Sequence, residues 1–441
     1  MRKIGFGNVK KKKDKGPSPE ELNSLLSLYQ NGQFEDAEHL AISITKKFPK
    51  HIFSWKVLGV ILKNTGRASE ALIANKKAVV IDPQDVESYN NMGNTLQELG
   101  RLKEAESSYR QAISLKSNFA EAHNNLGNIL KDLSRLKEAE SSYRQAISLK
   151  SDYAEAHNNL GAVLKEVGKF EEAIVSYEKA IALKPNFAIA YGNMGAVLKD
   201  MGRSKEAIVS YEKALKLMPN FSEAEHWLAA LKGETTSSAP KDYVEKFFDQ
   251  YANKFEHSLV EQLQYNIPKI ITKMIVSKHP NSSLGSILDL GCGTGLAGVE
   301  IKEFCTNLEG IDLSRSMLEK AREKNIYAKL THGDILDYLL KEDLDFDYFI
   351  STDTFVYLGD LSDVFRLLKS RNKSGGKLVF STEHLDKGTF ILKASGRYSH
   401  SKSYIESLCK KFSYKLSYFK TAKLRKEKND FLTGGLYLLE F

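Results

Sequence analysis

Residues 287–295 read Ile-Leu-Asp-Leu-Gly-Cys-Gly-Thr-Gly, and a lone acid, Asp312, follows this stretch at the end of the next apolar run. The apolar residues 286–290 predict a short strand that brings the chain to the edge of a parallel sheet. The three glycines permit a tight turn and a close approach to a ligand, because they carry no Cβ. An acid at the end of the following strand can accept hydrogen bonds from a ribose diol. This stretch therefore predicts a pocket for a nucleoside-bearing cofactor.

The glycine stretch fits two cofactor fingerprints, because residues 293–298 also satisfy the G-x-G-x-x-G pattern of dinucleotide sites. Asp289, at the end of the strand, favours a cofactor with an ammonium group, since a carboxylate there would repel a pyrophosphate. Asp312 supplies the ribose acceptor, and Asp334, in His-Gly-Asp-Ile, supplies an acceptor for an adenine amino group. A fourth strand is entered through Asp347. Together these acids favour S-adenosylmethionine over a nicotinamide dinucleotide.

The order and spacing of these segments resemble the class I S-adenosylmethionine-dependent methyltransferases over about residues 240–441. Alternating strands and helices predict a Rossmann-like α/β domain, and the resemblance implies a mostly parallel seven-stranded sheet with an antiparallel terminal hairpin. The residues expected to contact S-adenosylmethionine are Tyr251, Phe255, Asp289, Gly291, Cys292, Gly293, Gly295, Asp312, Leu313, Asp334 and Ile335.

An aromatic segment upstream of the glycines supports this resemblance. Residues 248–255 read Phe-Asp-Gln-Tyr-Ala-Asn-Lys-Phe and match the opening of many bacterial small-molecule methyltransferases. In those relatives the segment folds over the cofactor, which implies that Tyr251 and Phe255 form a lid; the alternative is that they are core residues of a helix. Cys292 has no histidine beside it in sequence, so it is expected to be a neutral neighbour of the cofactor rather than a nucleophile.

A 34-residue repeat occupies the chain before this domain. Glycines and alanines recur with that period: Gly59, Gly93, Gly127, Gly161 and Gly195, and Ala37, Ala71, Ala105, Ala139, Ala173 and Ala207. Small residues at fixed offsets let two helices pack closely. The period resembles the tetratricopeptide repeat, an all-α helix–turn–helix solenoid, over about residues 18–221 as six repeats, with a capping helix at 221–231. Residues 353–360 and 396–401 look like the bacterial predicted methyltransferases that carry such repeats.

Polar residues at fixed offsets from the periodic glycines predict that the array binds a protein or peptide. They are Asn91, Asn125, Asn159, Asn193, Lys131 and Lys165. A ladder of amides can hydrogen-bond an extended peptide backbone, and lysines can attract an acidic segment. In the alternative, the amides bond neighbouring repeats and the lysines are only solvated.

The chain is predicted to divide into a basic disordered tail (1–17), the repeats with their capping helix (18–232), a flexible linker (233–240) and the methyltransferase-like domain (241–441). The linker residues are small, polar and aperiodic. The net charge is +8, and lysines of the tail carry part of it; both plain solvation and a nucleic-acid or membrane-surface contact stay open for them. No apolar run reaches 18 residues and the three cysteines show no paired spacing, which fits a cytoplasmic protein.

Acceptor-side groups are expected beyond the fourth strand and after the fifth, where the catalytic candidates stand: Asp353, His384, Arg397 and His400. Asp353 is a base, an orienting group or a loop cap, and His384 is a base or an exposed loop residue. Arg397 can clamp a carboxylate or phosphate of the substrate, or form a salt bridge within the fold. His400 shares the Gly- and Ser-containing segment of Arg397. No Cys-x-x-Cys or His-x-x-His spacing predicts a metal site.

These features favour methyl transfer from S-adenosylmethionine to an unidentified acceptor, with the array recruiting a protein or a carrier-bound or small-molecule substrate. The alternative is a tetratricopeptide interaction scaffold whose methyltransferase domain is weak or degenerate, and the complete set of glycines and acids argues against it. Nucleic-acid methylation aided by the basic tail is a third, less favoured reading. DNA-adenine and glutamine methylation are disfavoured, because Ser-Thr-Asp-Thr at 351–354 replaces the Asn-Pro-Pro-Tyr-type signature.

Overall fold

The computed structural model describes residues 16–278, 283–341, 343–427 and 430–441, and the chain divides into two compact units, 1–201 and 202–441. The basic tail predicted for residues 1–17 lies outside the described residues except for its last two positions. Within the described ranges, no helix combines the length and the apolar character needed to cross a membrane.

The first unit consists of consecutive helix pairs, and each 34-residue period holds two helices and two turns. The helices are α1 (Pro19–Gln30), α2 (Phe34–Lys47), α3 (Ile52–Asn64), α4 (Ala68–Ile81), α5 (Val86–Glu98), α6 (Leu102–Leu115), α7 (Ala120–Asp132), α8 (Leu136–Leu149), α9 (Ala154–Glu166), α10 (Phe170–Leu183) and α11 (Ala188–Asp200).

Three of the periodic glycines, Gly93, Gly127 and Gly161, make room for a tyrosine ring on the second helix of their pair. A Cβ on Gly127 would lie 2.6 Å from the ring of Tyr143, and the same contact recurs one repeat earlier and one repeat later. Tyr143 is fully buried, and its hydroxyl donates a hydrogen bond to Asn128 Oδ1 at 2.7 Å. Glycine is therefore required here by packing density rather than by backbone conformation.

The second unit is a mixed α/β domain preceded by the last two repeat-type helices. Its helices are α12 (Ser204–Leu217), α13 (Ser222–Lys232), α14 (Lys241–Glu256), α15 (Ile267–Val276), α16 (Leu296–Ile301), α17 (Arg315–Glu323), α18 (Ile335–Lys341), α19 (Ser362–Arg371) and α20 (Lys402–Phe412). Its strands are β1 (Ser286–Leu290), β2 (Asn307–Asp312), β3 (Lys329–His332), β4 (Tyr348–Ser351), β5 (Lys377–Leu385), β6 (Phe390–Leu392), β7 (Tyr398–Ser401), β8 (Lys415–Glu427) and β9 (Asp430–Glu440).

The sheet confirms the predicted fold class of helical repeats followed by a mostly parallel sheet with an antiparallel terminal hairpin. Five strands are parallel in the order β3-β2-β1-β4-β5, and β9 pairs antiparallel with both β5 and β8. Alternate residues of β1 enter different cores: Leu288 and Leu290 belong to one cluster, and Ile287 belongs to another. The sheet is thus covered on both faces, as parallel sheets are.

The described residues form nine strands, whereas seven were predicted. The additional strands, β6 and β7, form a short antiparallel hairpin, and β7 pairs in parallel with the last residues of β5. Residues 390–401 mix few apolar residues with Lys, Ser and Gly, so no strand pattern is long enough to be recognised. Strand β8 extends to Glu427 and so includes the charged residues Arg425 and Lys426.

Residues 233–240, predicted as a flexible linker, are hydrogen-bonded to the α/β domain. Ala239 N donates to Tyr357 O at 2.9 Å, and the amides of Gly359 and Asp360 donate to Ser237 O at 2.8 and 2.9 Å. The boundary between the units falls at residue 202 rather than in this segment, because α12 and α13 belong to the second unit. The small residues of 233–240, predicted as a linker, instead permit their backbone to approach that of residues 357–360 closely.

Candidate functional site

A pocket in the second unit is lined by the loops that follow β1, β2, β3 and β4 and by residues of α14. Its lining includes most of the predicted cofactor residues: Tyr251, Phe255, Gly291, Cys292, Gly293, Asp312, Leu313, Asp334 and Ile335. Asp289 and Gly295 are outside the described lining and border it in sequence. The carboxyl ends of the parallel strands therefore assemble residues that are far apart in the chain.

The glycine loop has the backbone conformation that its sequence predicts. Gly291, Gly293 and Gly295 have φ values of +74°, +55° and +88°, a region that residues with a Cβ rarely adopt. A Cβ on Gly291 would lie 2.3 Å from the side chain of Thr354, whereas a Cβ on Gly293 would meet nothing within 4 Å. Gly291 is thus fixed by packing, and Gly293 leaves the loop surface open on the pocket side.

Asp289 is a buried carboxylate with one unused oxygen. Its Oδ2 accepts a hydrogen bond from the Tyr327 hydroxyl at 2.7 Å, and its Oδ1 has no hydrogen-bond partner among the described residues. Burial raises the pKa of Asp289 to about 7; the hydrogen bond from Tyr327 opposes this rise, and the charge of Asp312 adds to it. A cation near Oδ1 would return the carboxylate to its ionised form.

Asp312 holds the glycine loop in place. Its Oδ2 accepts a hydrogen bond from Gly293 N at 2.7 Å, and its Oδ1 accepts one from Ser314 N at 2.8 Å. Burial raises the pKa of Asp312 to about 6, against the effect of these two hydrogen bonds. Each carboxylate oxygen can accept a further donor, so Asp312 can hold the loop and bind a diol at once.

Helix α14 covers one side of the pocket with aromatic side chains. Phe248 packs edge-to-face on Tyr357 at 5.3 Å between ring centroids, and Tyr251 packs in the same way on Phe255 at 5.9 Å. Tyr251 and Phe255 are each half-buried and both line the pocket, so they are neither fully core nor fully exposed.

Two polar contacts fix α14 to the rest of the site. Asp249 Oδ1 accepts hydrogen bonds from Ser314 Oγ at 2.6 Å and from Ser316 N at 3.0 Å, which joins α14 to the start of α17. Lys241 Nζ lies 3.0 Å from Asp334 Oδ1 and 2.8 Å from Asp337 Oδ2. The helix that carries the aromatic residues is therefore tied to the loops that follow β2 and β3.

A buried charge cluster contributes two residues to the pocket lining. Arg425 donates to Asp353 Oδ1 and to Glu383 Oε1, both at 2.8 Å. Arg397 makes only longer contacts to the same acids, 3.5 Å to Asp353 and 3.9 Å to Glu383. Among these residues only Asp353 and Arg397 line the pocket. Arg425 balances one of the two negative charges. The Arg397 guanidinium, 5.7 Å from the Tyr357 ring centroid, supplies a second positive charge at the pocket surface.

Asp353 adopts a backbone conformation that costs energy. Its φ is +57°, in the left-handed region that non-glycine residues seldom occupy. Its amide donates to Ser381 Oγ at 3.0 Å, which helps to hold this conformation. Strained residues of this kind concentrate at functional sites.

Glu383 and Arg425 are members of this cluster that the sequence did not reveal as site residues. Glu383 lies within β5, and Arg425 lies in β8. Each strand carries a charged residue, but their partners on the intervening strand β9 are Gly434 and Leu432. The charges could therefore be related only by knowing that β9 lies between β5 and β8.

The structure does not bring His384 or His400 to the described lining of the pocket. His400 is fully buried, with Nε2 at 2.9 Å from Gly359 O and its ring stacked on Tyr404. Burial lowers the pKa of His400 to about 4, so the ring is neutral at pH 7. His384 lies within β5, which extends to Leu385, rather than in a loop after it. Both placements argue against the predicted catalytic roles.

Cys292 and the acids of the site offer no centre for a nucleophile or a metal. Burial, together with the charges of Asp312 and Asp289, raises the pKa of the Cys292 thiol well above its usual range, so the thiol is protonated. In the part of the chain that the structure describes, no group of three or more His, Cys, Asp or Glu side chains could hold a metal ion.

The predicted peptide-binding asparagines bond neighbouring repeats in the first unit. Their Nδ2 atoms lie close to asparagine Oδ1 atoms of the preceding repeat: Asn125 to Asn90 at 3.1 Å, Asn159 to Asn124 at 3.1 Å, and Asn193 to Asn158 at 3.0 Å. The backbone carbonyl of Asn91 accepts from Asn75 Nδ2 at 3.3 Å. Lys165 pairs with Asp200 at 3.3 Å, and Lys131 lies in the last turn of α7. The side-chain amides of Asn125, Asn159 and Asn193 are thus engaged within the array.

Comparison with known families matches the two parts of the chain separately. A family model described as a methyltransferase domain matches residues 281–433. Tetratricopeptide-repeat models match residues 22–86, 74–107, 96–134, 127–168, 154–187 and 188–221.

Curated relatives match the methyltransferase part. The chain is 32% identical over 141 residues to a malonyl-[acyl-carrier protein] O-methyltransferase of Bacillus anthracis, covering 31% of this chain and 48% of the relative. It is 33% identical over 114 residues to phosphoethanolamine N-methyltransferase 1 of Zea mays, covering 25% of this chain and 23% of the relative. The chain spans about half the length, or less, of these relatives.

Solved structures match the repeats. The crystal structure of MamA is 31% identical, covers 37% of this chain and 95% of its own, and superposes with a TM-score of 0.34. YrrB, described as a TPR protein with an unusual peptide-binding site, is 21% identical with a TM-score of 0.35, covering 42% of this chain and 96% of its own.

Proposed function

We propose that this chain, in which a methyltransferase domain follows several tetratricopeptide repeats, transfers the methyl group of S-adenosylmethionine to an acceptor that the repeats recruit. One observation carries the proposal. A single pocket combines an open glycine loop, the loop-holding acid Asp312, and an aromatic cover on α14. Behind it, Asp289 has a buried oxygen that no described residue hydrogen-bonds.

The residues present fit this cofactor. Asp289 would accept from its ammonium group, since the unpartnered Oδ1 is a buried acceptor that only a donor or a cation can satisfy. Asp312 would accept from the ribose, and Asp334 with Ile335 would contact the adenine. Gly293 would let the backbone approach the cofactor, because nothing occupies the space of its missing Cβ. When bound, S-adenosylmethionine supplies an electrophilic methyl group on a sulfonium that becomes a neutral thioether.

The chain itself has to align the acceptor and exclude water, since the departing sulfur needs no charge stabilisation. Asp353 and Arg397 lie on the pocket wall and are the candidates for acceptor contact. Arg425 orients the Asp353 carboxylate at 2.8 Å, so that its other oxygen faces Arg397. In our proposal Asp353 orients the acceptor or removes its proton, and Arg397 binds an anionic group on it.

Recruitment is the role that we propose for the repeats. The relative from Bacillus anthracis is named for a carrier-bound acid, which supports an acceptor that is presented on a protein. Because the asparagine donors bond neighbouring repeats, Lys131 and Lys165 become the better candidates for contact with an acidic partner. At Lys165 the partner's carboxylate would replace Asp200, which lies 3.3 Å from the ammonium group.

Isothermal titration of the full chain with S-adenosylmethionine and S-adenosylhomocysteine tests the cofactor. We expect Asp312→Asn to raise the Kd at least about tenfold, because a hydrogen bond to a charged group contributes about 1.5–3 kcal/mol. Glu319→Gln is the matched control, since Glu319 is exposed on the neighbouring α17. A wild-type chain that binds neither compound would favour an interaction scaffold with a degenerate methyltransferase domain.

Partner capture tests recruitment. Proteins retained by the full chain would be incubated with methyl-labelled S-adenosylmethionine, and we expect label on a retained protein or on a group that it carries. Lys131→Glu combined with Lys165→Glu should reduce capture, whereas Lys137→Glu, at an exposed position of α8, should not. Equal capture by both variants would remove the lysines from the proposal.

A further inference from the structure

The helix that caps the repeats reaches the segment that carries Arg397. His226 of α13 is buried, and its Nε2 lies 2.9 Å from the carbonyl oxygen of Gly396. A carbonyl can only accept, so Nε2 carries the proton and donates. The same ring packs on Tyr243 of α14 with centroids 4.9 Å apart. One side chain thus contacts both the turn before Arg397 and the helix that covers the pocket.

Trp227, the next residue of α13, packs against the same turn. Gly396 has a φ of +74°, and a Cβ there would lie 2.7 Å from the Trp227 indole. The turn closes the β6–β7 hairpin: Gly396 N donates to Lys393 O at 2.8 Å, and Lys393 N donates to Arg397 O at 2.9 Å. The indole therefore bears directly on the tip of a hairpin whose next residue, Arg397, lines the pocket.

The segment between α13 and α14 holds the other side of the hairpin. Thr235 Oγ1 accepts from Leu392 N at 3.3 Å, and the Thr236 hydroxyl is hydrogen-bonded to the hydroxyl of Tyr398. Ala239 N donates to the carbonyl of Tyr357, whose ring faces the Arg397 guanidinium. The β6–β7 hairpin that carries Arg397 and the Tyr357 ring that faces it are thus both attached to residues 226–239.

We propose that the capping helix of the repeats is a positioning element of the acceptor pocket, in which His226 and Trp227 fix the Gly396 turn and so place the Arg397 guanidinium. The inference rests on the proposed function, because it assigns Arg397 to the acceptor side of that site. His226 and Trp227 touch neither cofactor nor acceptor; they act through Gly396. The working methyltransferase therefore includes α13 and does not begin at Lys241.

The reactivity of Arg397 toward phenylglyoxal, an arginine-specific reagent, measures this placement in the full chain. Modification at Arg397 is followed by peptide mass spectrometry, with the buried Arg425 as the internal reference. We expect His226→Leu to raise the modification rate at Arg397 at least threefold, because the donor to Gly396 is lost. His226→Gln retains a hydrogen-bond donor, so its modification rate at Arg397 should return toward that of the wild-type chain. Glu225→Gln, at an exposed position of the same helix, is the control.

A second variant covers the case in which His226→Leu fails to fold. Thr236→Val removes only the hydroxyl that bonds Tyr398 and replaces an exposed residue, so we expect it to fold and to raise the rate at Arg397 about twofold. Unchanged rates at Arg397 in the folded variants would overturn the positioning role. Titration with S-adenosylhomocysteine reports separately on the proposed function. A changed rate at Arg397 in a chain that binds no cofactor would support the positioning role of α13 and contradict the proposed methyl transfer.

Discussion

The asparagines of the first unit and the acids of the second unit use their polar atoms in opposite ways. In the first unit, the half-buried amides of Asn125, Asn159 and Asn193 bond neighbouring repeats. In the second unit, Asp289 has an oxygen with no hydrogen-bond partner among the described residues, and Asp353 is held at a positive φ. Polar groups that are satisfied by the fold stabilise it, whereas those left unsatisfied or strained are available to a ligand. Substitutions in the first unit should therefore change mainly its free energy of unfolding, whereas substitutions in the second unit should also change the affinity for the cofactor.

The two tryptophans allow the units to be followed separately, because Trp55 lies in the first unit and Trp227 in the second. A Trp55→Phe background reports on the second unit, and a Trp227→Phe background reports on the first. Unfolding in urea, followed by fluorescence, gives the free energy of unfolding for each.

The largest effect is expected for Arg425→Leu, which leaves Asp353 and Glu383 buried without their short ion pairs. Removal of one partner from a buried pair costs about 3 to 5 kcal/mol, and we expect a loss of that size in the Trp227 signal. Lys420→Leu, at an exposed position of the same strand, is the control. A stable Arg425→Leu chain would show that the two short ion pairs contribute little to the stability of the second unit.

The pH dependence of stability should single out His400. Its folded pKa of about 4 lies below the value near 6.5 of an unfolded chain, so the folded state binds fewer protons between these values. The free energy of unfolding should therefore fall as the pH is lowered from 7 to 4, by up to about 3 kcal/mol from this residue.

His400→Gln should lose that part of the fall, measured by urea unfolding at several pH values in the Trp55→Phe background. His39→Gln, at an exposed position of the first unit, should retain it. An unchanged pH profile in His400→Gln would mean that the folded and unfolded chains bind protons equally at this residue, which would contradict the lowered pKa.

A matched pair of glycines sharpens the contrast between packing and binding. Gly127→Ala places a Cβ 2.6 Å from the buried ring of Tyr143, and overpacking of this kind costs about 1 to 3 kcal/mol. Gly293→Ala meets no atom, so we expect a smaller loss of stability from its φ of +55° and a weaker affinity for S-adenosylhomocysteine. Calorimetric titration of both variants checks this: equal affinity losses would contradict the distinction.

The smallest effect is expected for Asn159→Ala. It removes amide hydrogen bonds to Asn124 and Asn128 of the preceding repeat, each worth about 1 kcal/mol. We expect a loss of that order in the Trp55 signal, with unchanged affinity for S-adenosylhomocysteine. Asn118→Ala, at an exposed position of the turn before α7, serves as the control. Reduced partner capture without a loss of stability would instead favour the amide ladder as a binding surface.

The features that could be predicted from the sequence are those that depend on residues close together in the chain. The 34-residue period, the glycine loop and the acids at the strand ends each follow from residues close together in the chain, and the fold class followed from them. The pairing of Arg425 with Asp353 and Glu383 could not be predicted, because it joins residues of three distant segments. The roles predicted for His384 and His400 depended on where β5 ends and on a hairpin too short and polar to recognise.

The contact between α13 and the Gly396 turn has a practical consequence for protein production. Trp227, Ala229 and Ala230 cover Leu392 and Tyr398 in one apolar cluster. A chain that starts at Lys241 would expose this cluster to water, and such patches promote aggregation. An expression boundary at Gly202 keeps the cluster closed, and we expect a soluble product from it and inclusion bodies from the shorter chain.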